Sequence, residues 1–467
     1  MKHYFVGVDI GTSNIVMVVG SRTDDSVLFN IEGISVQQSR KSVIDGVITN
    51  IEIVGDAIKN AKYELESELG IKIEQVYVGI GNVYTRSVSV TDWAPVKNKK
   101  SGKIGKEDII ILEQLLKMVK TENRAETIRE ILPLAYYING EQRTLDPVGK
   151  FGSWLKADYL FSIGISDHIR LIKMACVKAG LELLNIFVNP MVTYPLLVSD
   201  KEANNGVAIV DIGGGVTDIT IVKEGRVQYF VSIPIGAEAI DNDLKTILPS
   251  NSNISSVKHK YGKAIASSVA DNEVVPVGGK EIICRNIATV IEARLIDIAE
   301  LVMGEIKSAG FEQAIESGFV LTGGSVDLDG IDALFERETG RQSRKADMLY
   351  GLCEQAKSCD ITFGQQTAVA VMMNAANFAP TNVIEVGVAA PKVIATPIIP
   401  EPAEPKSPET KEESAEKVEI ANNPNPEEGK QPDKSKAVEE PKKKKKSSHS
   451  FSSILMGLMG YGDHDKK

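Results

Sequence analysis

Two stretches of this chain share one alternation of apolar and polar positions. YFVGVDIGTSNIVMVVG begins at Tyr4, and GVAIVDIGGGVTDITIVKEG returns at Gly206. In each, an apolar run ends in Asp-Ile-Gly, a short polar turn follows, and a second apolar run leads away. The pattern predicts a strand, a tight turn and a returning strand. The two copies of V-D-I-G lie 202 positions apart, which predicts two related halves. A third glycine turn, GFVLTGGSVDLDGI at 318–331, follows another apolar strand. Residues 84–164 interrupt the first half with strand-like TRSVSVTD, a lysine-rich loop and a helix from about Lys106. Ile109, Leu112, Leu116 and Val119 share one face of that helix. LPLAYYI then meets Asn139-Gly140, a hairpin signal, and WLKADYLFSIGI follows as a strand. This insertion reads as a small α+β subdomain. In the second half, residues 240–305 read as another insertion, with Gly278-Gly279 and a long helix over Arg285–Ser308.

Composition changes the picture in two places. Apolar residues at 43% and charged residues at 25% match an ordinary globular protein, and a net charge of −10 argues against a nucleic-acid partner. Cys176, Cys284, Cys353 and Cys359 form no C-x-x-C pair, so idle thiols in a reducing compartment are expected. The N-terminal run reads as a strand, and no stretch approaches the ~20 apolar residues of a membrane span. The expected location is cytoplasmic. The second change comes after Phe378. Residues 379–450 contain no Leu, Met, Phe, Tyr, Trp or Cys, and eleven of the nineteen prolines lie at or after Pro380. Such a segment is expected to be a disordered linker with an r.m.s. span of roughly 45–50 Å.

The glycine turns suggest phosphate chemistry. Glycine lets backbone N–H groups approach an anion, and the hydroxyls of Thr12, Ser13 and Thr217 offer further donors. The candidate phosphate contacts are Gly11, Thr12, Ser13 and Asn14 in the first turn and Gly213, Gly214, Gly215 and Thr217 in the second. Asp9 and Asp211 stand at the two strand ends. If the turns face one another these carboxylates repel, and a Mg²⁺ ion carried by nucleotide phosphates relieves the repulsion. Gly323, Gly324 and Ser325 are candidates for the floor under a nucleoside. One such turn alone is more readily a plain hairpin; three in this order are not.

DIGTSN, DIGGGVTD, VLTGGS and FGQQTAVAV together resemble the nucleotide motifs of the actin, chaperone and sugar-kinase superfamily. Within it, NPMVTYPLLVSD, VKHKYGKAIAS, VPVGGK and IATVIEARLIDIAELV resemble the FtsA family of bacterial cell-division actin homologues, over residues 1 to about 378. The resemblance implies an α/β fold of the duplicated actin-like (ribonuclease H-like) ATPase type. The first half would comprise residues 1–83, 165–195 and 364–378, with the FtsA-type insertion at 84–164. The second half would comprise 196–239 and 306–363, with its insertion at 240–305. ATP and Mg²⁺ are the implied cofactors. Implied partners are further copies in actin-like filaments, the C-terminal peptide of FtsZ, other division proteins and anionic inner-membrane lipid at the septum. Lys280, Arg285 and Arg294 match the stretch that docks the peptide; solvated surface charges, or a Glu281–Arg285 pair on the helix, are the plainer reading.

Two departures stand out. Relatives that hydrolyse ATP well place Glu or Gln before the second turn, where this chain has Asn189; a helix N-cap is the plainer reading of it. Lys258 matches a ribose-site lysine, but its expected glutamate partner is Ser255 or Ser256. A slow ATPase at most is implied. A sugar kinase on the same fold, or an adaptor of pilus assembly, are the alternatives. FSSILMGLMG at 451–460 argues against both. As a helix over 451–462 it would place Phe451, Ile454, Leu455, Leu458 and Met459 on one stripe. Gly457 and Gly460, at about 1 kcal/mol each, keep it unfolded until it meets an apolar surface. With Lys442, Lys443, Lys444, Lys445 and Lys446 beside it, a membrane anchor is expected.

Overall fold

The computed structural model describes residues 2–117, 121, 123–347, 352 and 361–385. The first half opens with antiparallel strands β1 (Lys2–Ile10), β2 (Asn14–Thr23) and β3 (Asn30–Gln38). A small hairpin, β4 (Val43–Ile44) and β5 (Val47–Ile48), leads to α1 (Ile51–Leu69), β6 (Ile71–Ile73) and β7 (Gln75–Ile80). The insertion comprises β8 (Arg86–Pro95), α2 (Lys106–Lys117), β9 (Glu126–Ile138), β10 (Gln142–Thr144) and β11 (Trp154–Ile165). The chain returns through α3 (Ser166–Lys178), β12 (Glu182–Val188) and α4 (Asn189–Leu197).

After α5 (Asp200–Asn205) the second half repeats the plan with β13 (Val207–Ile212), β14 (Thr217–Lys223) and β15 (Arg226–Ile233). Its insertion carries α6 (Ala237–Ile247), α7 (Ile254–Tyr261), the hairpin β16 (Val274–Val277) and β17 (Lys280–Ile283), and α8 (Cys284–Ser308). The half closes with β18 (Phe319–Thr322), α9 (Ile331–Thr339) and β19 (Ser343–Lys345). Helix α10 (Gln366–Asn374) and strand β20 (Val383–Glu385) end the described chain.

The duplication seen in the repeated phrase is a duplication of topology. The first sheet runs β12-β7-β1-β2-β3, and the second contains the matching run β19-β18-β13-β14-β15. In both, the hairpin strands are antiparallel and the two added strands parallel. Strands β1 and β2 read as unbroken apolar runs because both their faces are covered. Val6, Val8 and Ile15–Val19 are all buried. Helix α1 starts where the Asn50 side chain accepts the Ile53 N–H at 3.2 Å, and stops at Gly70 with φ 62°.

The insertion packs Leu112 and Leu116 of α2, both fully buried, against Ala94, Tyr136, Leu155 and Tyr159 of its sheet. Each buried leucine contributes roughly 1.5–3 kcal/mol. Its sheet, however, does not stand alone. Strand β8 pairs with β15 at Arg86 and Val231, making one nine-stranded sheet with the second half. Ser87 Oγ donates to the Phe230 carbonyl at 2.9 Å and accepts the Phe230 N–H at 2.8 Å. A segment threaded through the first half is thus stitched to the second.

The folded body also runs past Phe378, where the linker was expected to begin. Tyr77 Oη donates to the Ala379 carbonyl at 2.8 Å, and Thr381 Oγ1 accepts the Val6 N–H at 3.0 Å. Strand β20 then pairs with β6, so backbone groups through Glu385 find partners. Val119, Cys353, Cys359, the remaining linker at 386–450 and the expected anchor at 451–462 lie outside the described residues. Cys176 and Cys284 are free and buried, and burial pushes the Cys176 thiol up to about 12. Among the described residues no helix is long and apolar enough to cross a membrane.

Candidate nucleotide site

The two Asp-Ile-Gly turns face one another. A Cβ on Gly214 would lie 2.2 Å from Ser13 Oγ and 3.2 Å from Ser13 N. One on Gly215 would lie 2.9 Å from Thr12 Oγ1. Only glycine allows this approach of backbone to backbone. Helix α6 fixes the second turn from behind: Ala237 N–H donates to the Gly213 carbonyl at 2.8 Å and Glu238 N–H to the Gly214 carbonyl at 2.9 Å. With those carbonyls held toward the helix, the Gly214 and Gly215 amides have no backbone partner among the described residues. Free amides beside a helix N-terminus suit an anion.

Below the turns lies an acidic floor. Asp9 accepts from Asn189 Nδ2 at 3.1 Å, Asp211 from Thr367 Oγ1 at 3.1 Å, and Asp218 from the Ser232 hydroxyl. Burial first, and then the charge of Asp211, pushes Asp9 and Asp218 up to about 7; burial pushes Asp211 up to about 6. Gly79 and Gly81 make room for this cluster. A Cβ on Gly79 would meet Asn189 Oδ1 at 2.3 Å, and one on Gly81 would meet Asp218 Oδ2 at 2.5 Å. Among the described residues no three acidic, His or Cys groups stand close enough to ligate a metal directly. The donor set fits Mg²⁺, which keeps several waters and takes one or two carboxylates with substrate phosphates.

At the other end, Lys258 Nζ pairs with Asp241 Oδ1 at 2.6 Å, and the lysine is 7% exposed. Gly323, Gly324 and Ser325 line the same cleft with Phe363 and Gly364, and Gly324 and Gly364 approach closely. The Ser325 hydroxyl is buried without a hydrogen-bond partner among the described residues.

Of the expected nucleotide contacts, Gly11, Thr12, Ser13, Asn14, Gly213, Gly214, Lys258, Gly323, Gly324 and Ser325 line this cleft, as do Asp9 and Asp211. Thr217 does not. It is fully buried and its hydroxyl donates to the Ile235 carbonyl at 2.7 Å. Gly215 packs the two turns together instead of lining the cleft. Asn189 is not a cap: it is the first residue of α4 after Val188, and its amide reaches Asp9. The missing glutamate beside Lys258 is replaced from another helix by Asp241.

Asp218 and Thr367 also line the cleft, although no motif in the sequence singles them out. Asp218 was within reach of a parity argument, because it pairs across the hairpin with Asp211 and therefore shares its face.

The three basic residues expected to bind a partner do not form one patch. Arg285 donates to the Val269 carbonyl and pairs with Asp271, not Glu281. Arg294 pairs with Asp243 at 2.7 Å and Asp297 at 3.1 Å. Nine residues apart on α8, the two arginines project from opposite sides. Lys280 is exposed at the start of β17.

A family model described as "Cell division protein FtsA" matches residues 208–384. The cell division protein FtsA of Pseudomonas aeruginosa is 28% identical over 71% of this chain and 80% of its own length. That of Bacillus subtilis is 28% identical over 71% of this chain and 75% of its own. Among solved structures, the PilM-PilN type IV pilus biogenesis complex superposes with a TM-score of 0.56 at 13% identity, covering 79% of this chain and 98% of that one. That likeness is one of fold. With the duplicated halves and the facing turns, the chain has the actin-like fold, and its sequence is similar to the FtsA proteins of cell division.

Proposed function

We propose that this chain is an ATP-binding actin-like scaffold of cell division that polymerises and tethers FtsZ filaments to the cytoplasmic membrane at the septum. The observation that carries the nucleotide part is the facing pair of glycine turns above a floor of three aspartates, Asp218 buried and Asp9 and Asp211 half-buried. In this reading the Gly214 amide and the Ser13 hydroxyl, both on the cleft, hold phosphate oxygens. Asp9, Asp211 and Asp218 hold the water shell of Mg²⁺, which supplies charge neutralisation for the phosphates. Lys258, fixed by Asp241, meets the ribose, and Gly323–Ser325 with Gly364 support the base.

Asn189 makes the site a holder of nucleotide more than a hydrolase. Its Nδ2 is engaged by Asp9, and its buried Oδ1 has no partner among the described residues. A neutral carboxamide can position a water but cannot take its proton. Slow turnover suits a scaffold whose nucleotide sets its assembly state.

The partner reading narrows to the β17–α8 junction, where Lys280 and Arg285 lie close in sequence, and leaves Arg294 out. Membrane attachment rests on the stripe of Phe451, Ile454, Leu455, Leu458 and Met459 beside Lys442–Lys446. Titration of ATP with and without Mg²⁺ into the parent and Asp211→Ala tests the site: the variant is expected to lose the Mg²⁺-dependent part of the affinity. Equal Mg²⁺-dependent affinity in both proteins would overturn the assignment of the cleft.

A further inference from the structure

This acidic chain carries a surface segment of the opposite sign that the nucleotide and anchor assignments leave unused. Residues 96–106, VKNKKSGKIGK, hold Lys97, Lys99, Lys100, Lys103 and Lys106 with no carboxylate among them. All five lysines are exposed. None is engaged by an ion pair among the described residues.

The segment is ordered by its own hydrogen bonds. Val96 and Ile104 are buried in the core of the insertion. Buried Asp108 accepts the N–H groups of Lys97 and Gly105, each at 2.8 Å, so this neighbouring carboxylate faces inward. Gly102 N–H donates to the Asn98 carbonyl at 2.8 Å, and Gly152 N–H returns to the Gly102 carbonyl at 2.8 Å. That last contact brings up a second loop, in which Phe151 bridges to Lys103 and is 64% exposed. Glu107 is the exposed carboxylate nearest in sequence.

We propose that this loop is a second membrane contact, separate from the C-terminal stripe, that takes the headgroups of anionic phospholipid. Charge complementarity selects the occupant. The cations are lysines without one arginine over residues 93–106, so they offer point charges and no fork for a peptide carboxylate. An exposed phenylalanine beside lysines suits the surface of a bilayer, where the ring enters the boundary between headgroups and acyl chains while the lysines stay among the headgroups. The negative charge elsewhere on the chain opposes this little, since fields decay over about 8 Å at physiological ionic strength. Backbone hydrogen bonds hold the loop in place, so its main chain needs little ordering on contact while the lysine side chains stay free to meet headgroups. A filament would repeat the patch in every copy, so weak single contacts would add.

The test uses the full chain and vesicles of phosphatidylcholine with roughly one-third phosphatidylglycerol. Replacing Lys97, Lys99, Lys100 and Lys103 together by Gln is expected to weaken partitioning about tenfold or more, with ATP affinity and Tm unchanged. Leu455→Glu, which removes the C-terminal stripe, is expected to leave a salt-sensitive residue of binding that the same four substitutions reduce to what Lys442–Lys446 supply. Partitioning equal to the parent in the fourfold variant would overturn the proposal. So would a variant that keeps its vesicle affinity but loses binding to a glutamate-rich peptide, since the partner would then be a protein.

Discussion

Gly236 is the position where one added methyl group should do most to the nucleotide cleft. Its φ of −158° is extended backbone open to any residue, so the penalty of Gly236→Ala is steric alone. The new Cβ would lie 2.5 Å from the Gly213 carbonyl oxygen, 2.5 Å from that of Gly214 and 2.7 Å from the Gly214 carbonyl carbon. All three are backbone atoms and cannot rotate away. Ordinary contact begins at 3.4 Å, so the turn must retreat by about 0.9 Å. A retreat of that size stretches the 2.8 and 2.9 Å bonds from Ala237 and Glu238 past hydrogen-bond range. Moving α6 instead would drag fully buried Ile240 and Leu244 out of register with the core. Two lost backbone bonds at about 1 kcal/mol each amount to ~2 kcal/mol, or roughly a thirtyfold loss of affinity. Titration of Mg²⁺-ATP by calorimetry, with Tm measured in parallel, checks the figure. Gly304→Ala is the control: Gly304 is exposed in α8 with nothing within 4 Å of its added Cβ. That change should raise Tm and leave affinity alone. ATP affinity within twofold of the parent in Gly236→Ala would refute the claim that α6 sets the turn.

Three further outcomes are expected. Without nucleotide or Mg²⁺, stability should fall as pH rises from about 4 through about 7. The folded state holds protons on Asp9, Asp211 and Asp218 that the unfolded chain, near 3.8, has released. Mg²⁺-ATP affinity should rise over the upper part of that range, and a flat apo Tm profile would contradict both statements. Lys280→Glu should weaken binding of an FtsZ C-terminal peptide at unchanged Tm. Arg294→Glu should lower Tm, facing Asp243 and Asp297, yet leave peptide affinity unaltered; fluorescence anisotropy and melting curves separate the two. Leu455→Glu should release most of the protein from anionic vesicles while ATP binding persists, and full retention in a sedimentation assay would remove the C-terminal stripe from the account.

What could be read from the residues was what is encoded locally. Apolar runs around Asp-Ile-Gly disclosed both halves, and glycine spacing disclosed the turns, because strand alternation and tight turns are short-range properties. The partners that complete the site come from elsewhere in the chain. Asp241 reaches Lys258 from α6, and Thr367 reaches Asp211 across 156 positions. No local pattern announces such pairs. Thr217 was misjudged for a different reason. A hydroxyl beside a glycine turn invites a phosphate reading, but alternation along β14 turns Thr217 inward and Asp218 toward the cleft. The joining of β8 to β15 was hidden because it links residues 145 positions apart through one bridge.

That seam has a mechanical consequence. The insertion is rooted in the first half at Thr85, within a few residues of Gly81 on the cleft wall, and clasped to the second half at Phe230 and Val231. It is therefore an outrigger lashed to both hulls. Any change in the angle between the hulls must either swing the outrigger or slip its lashing. A small rotation at the glycine turns would be magnified along β9 and β11, thirteen and twelve residues long, into a larger displacement at the far tip of the insertion.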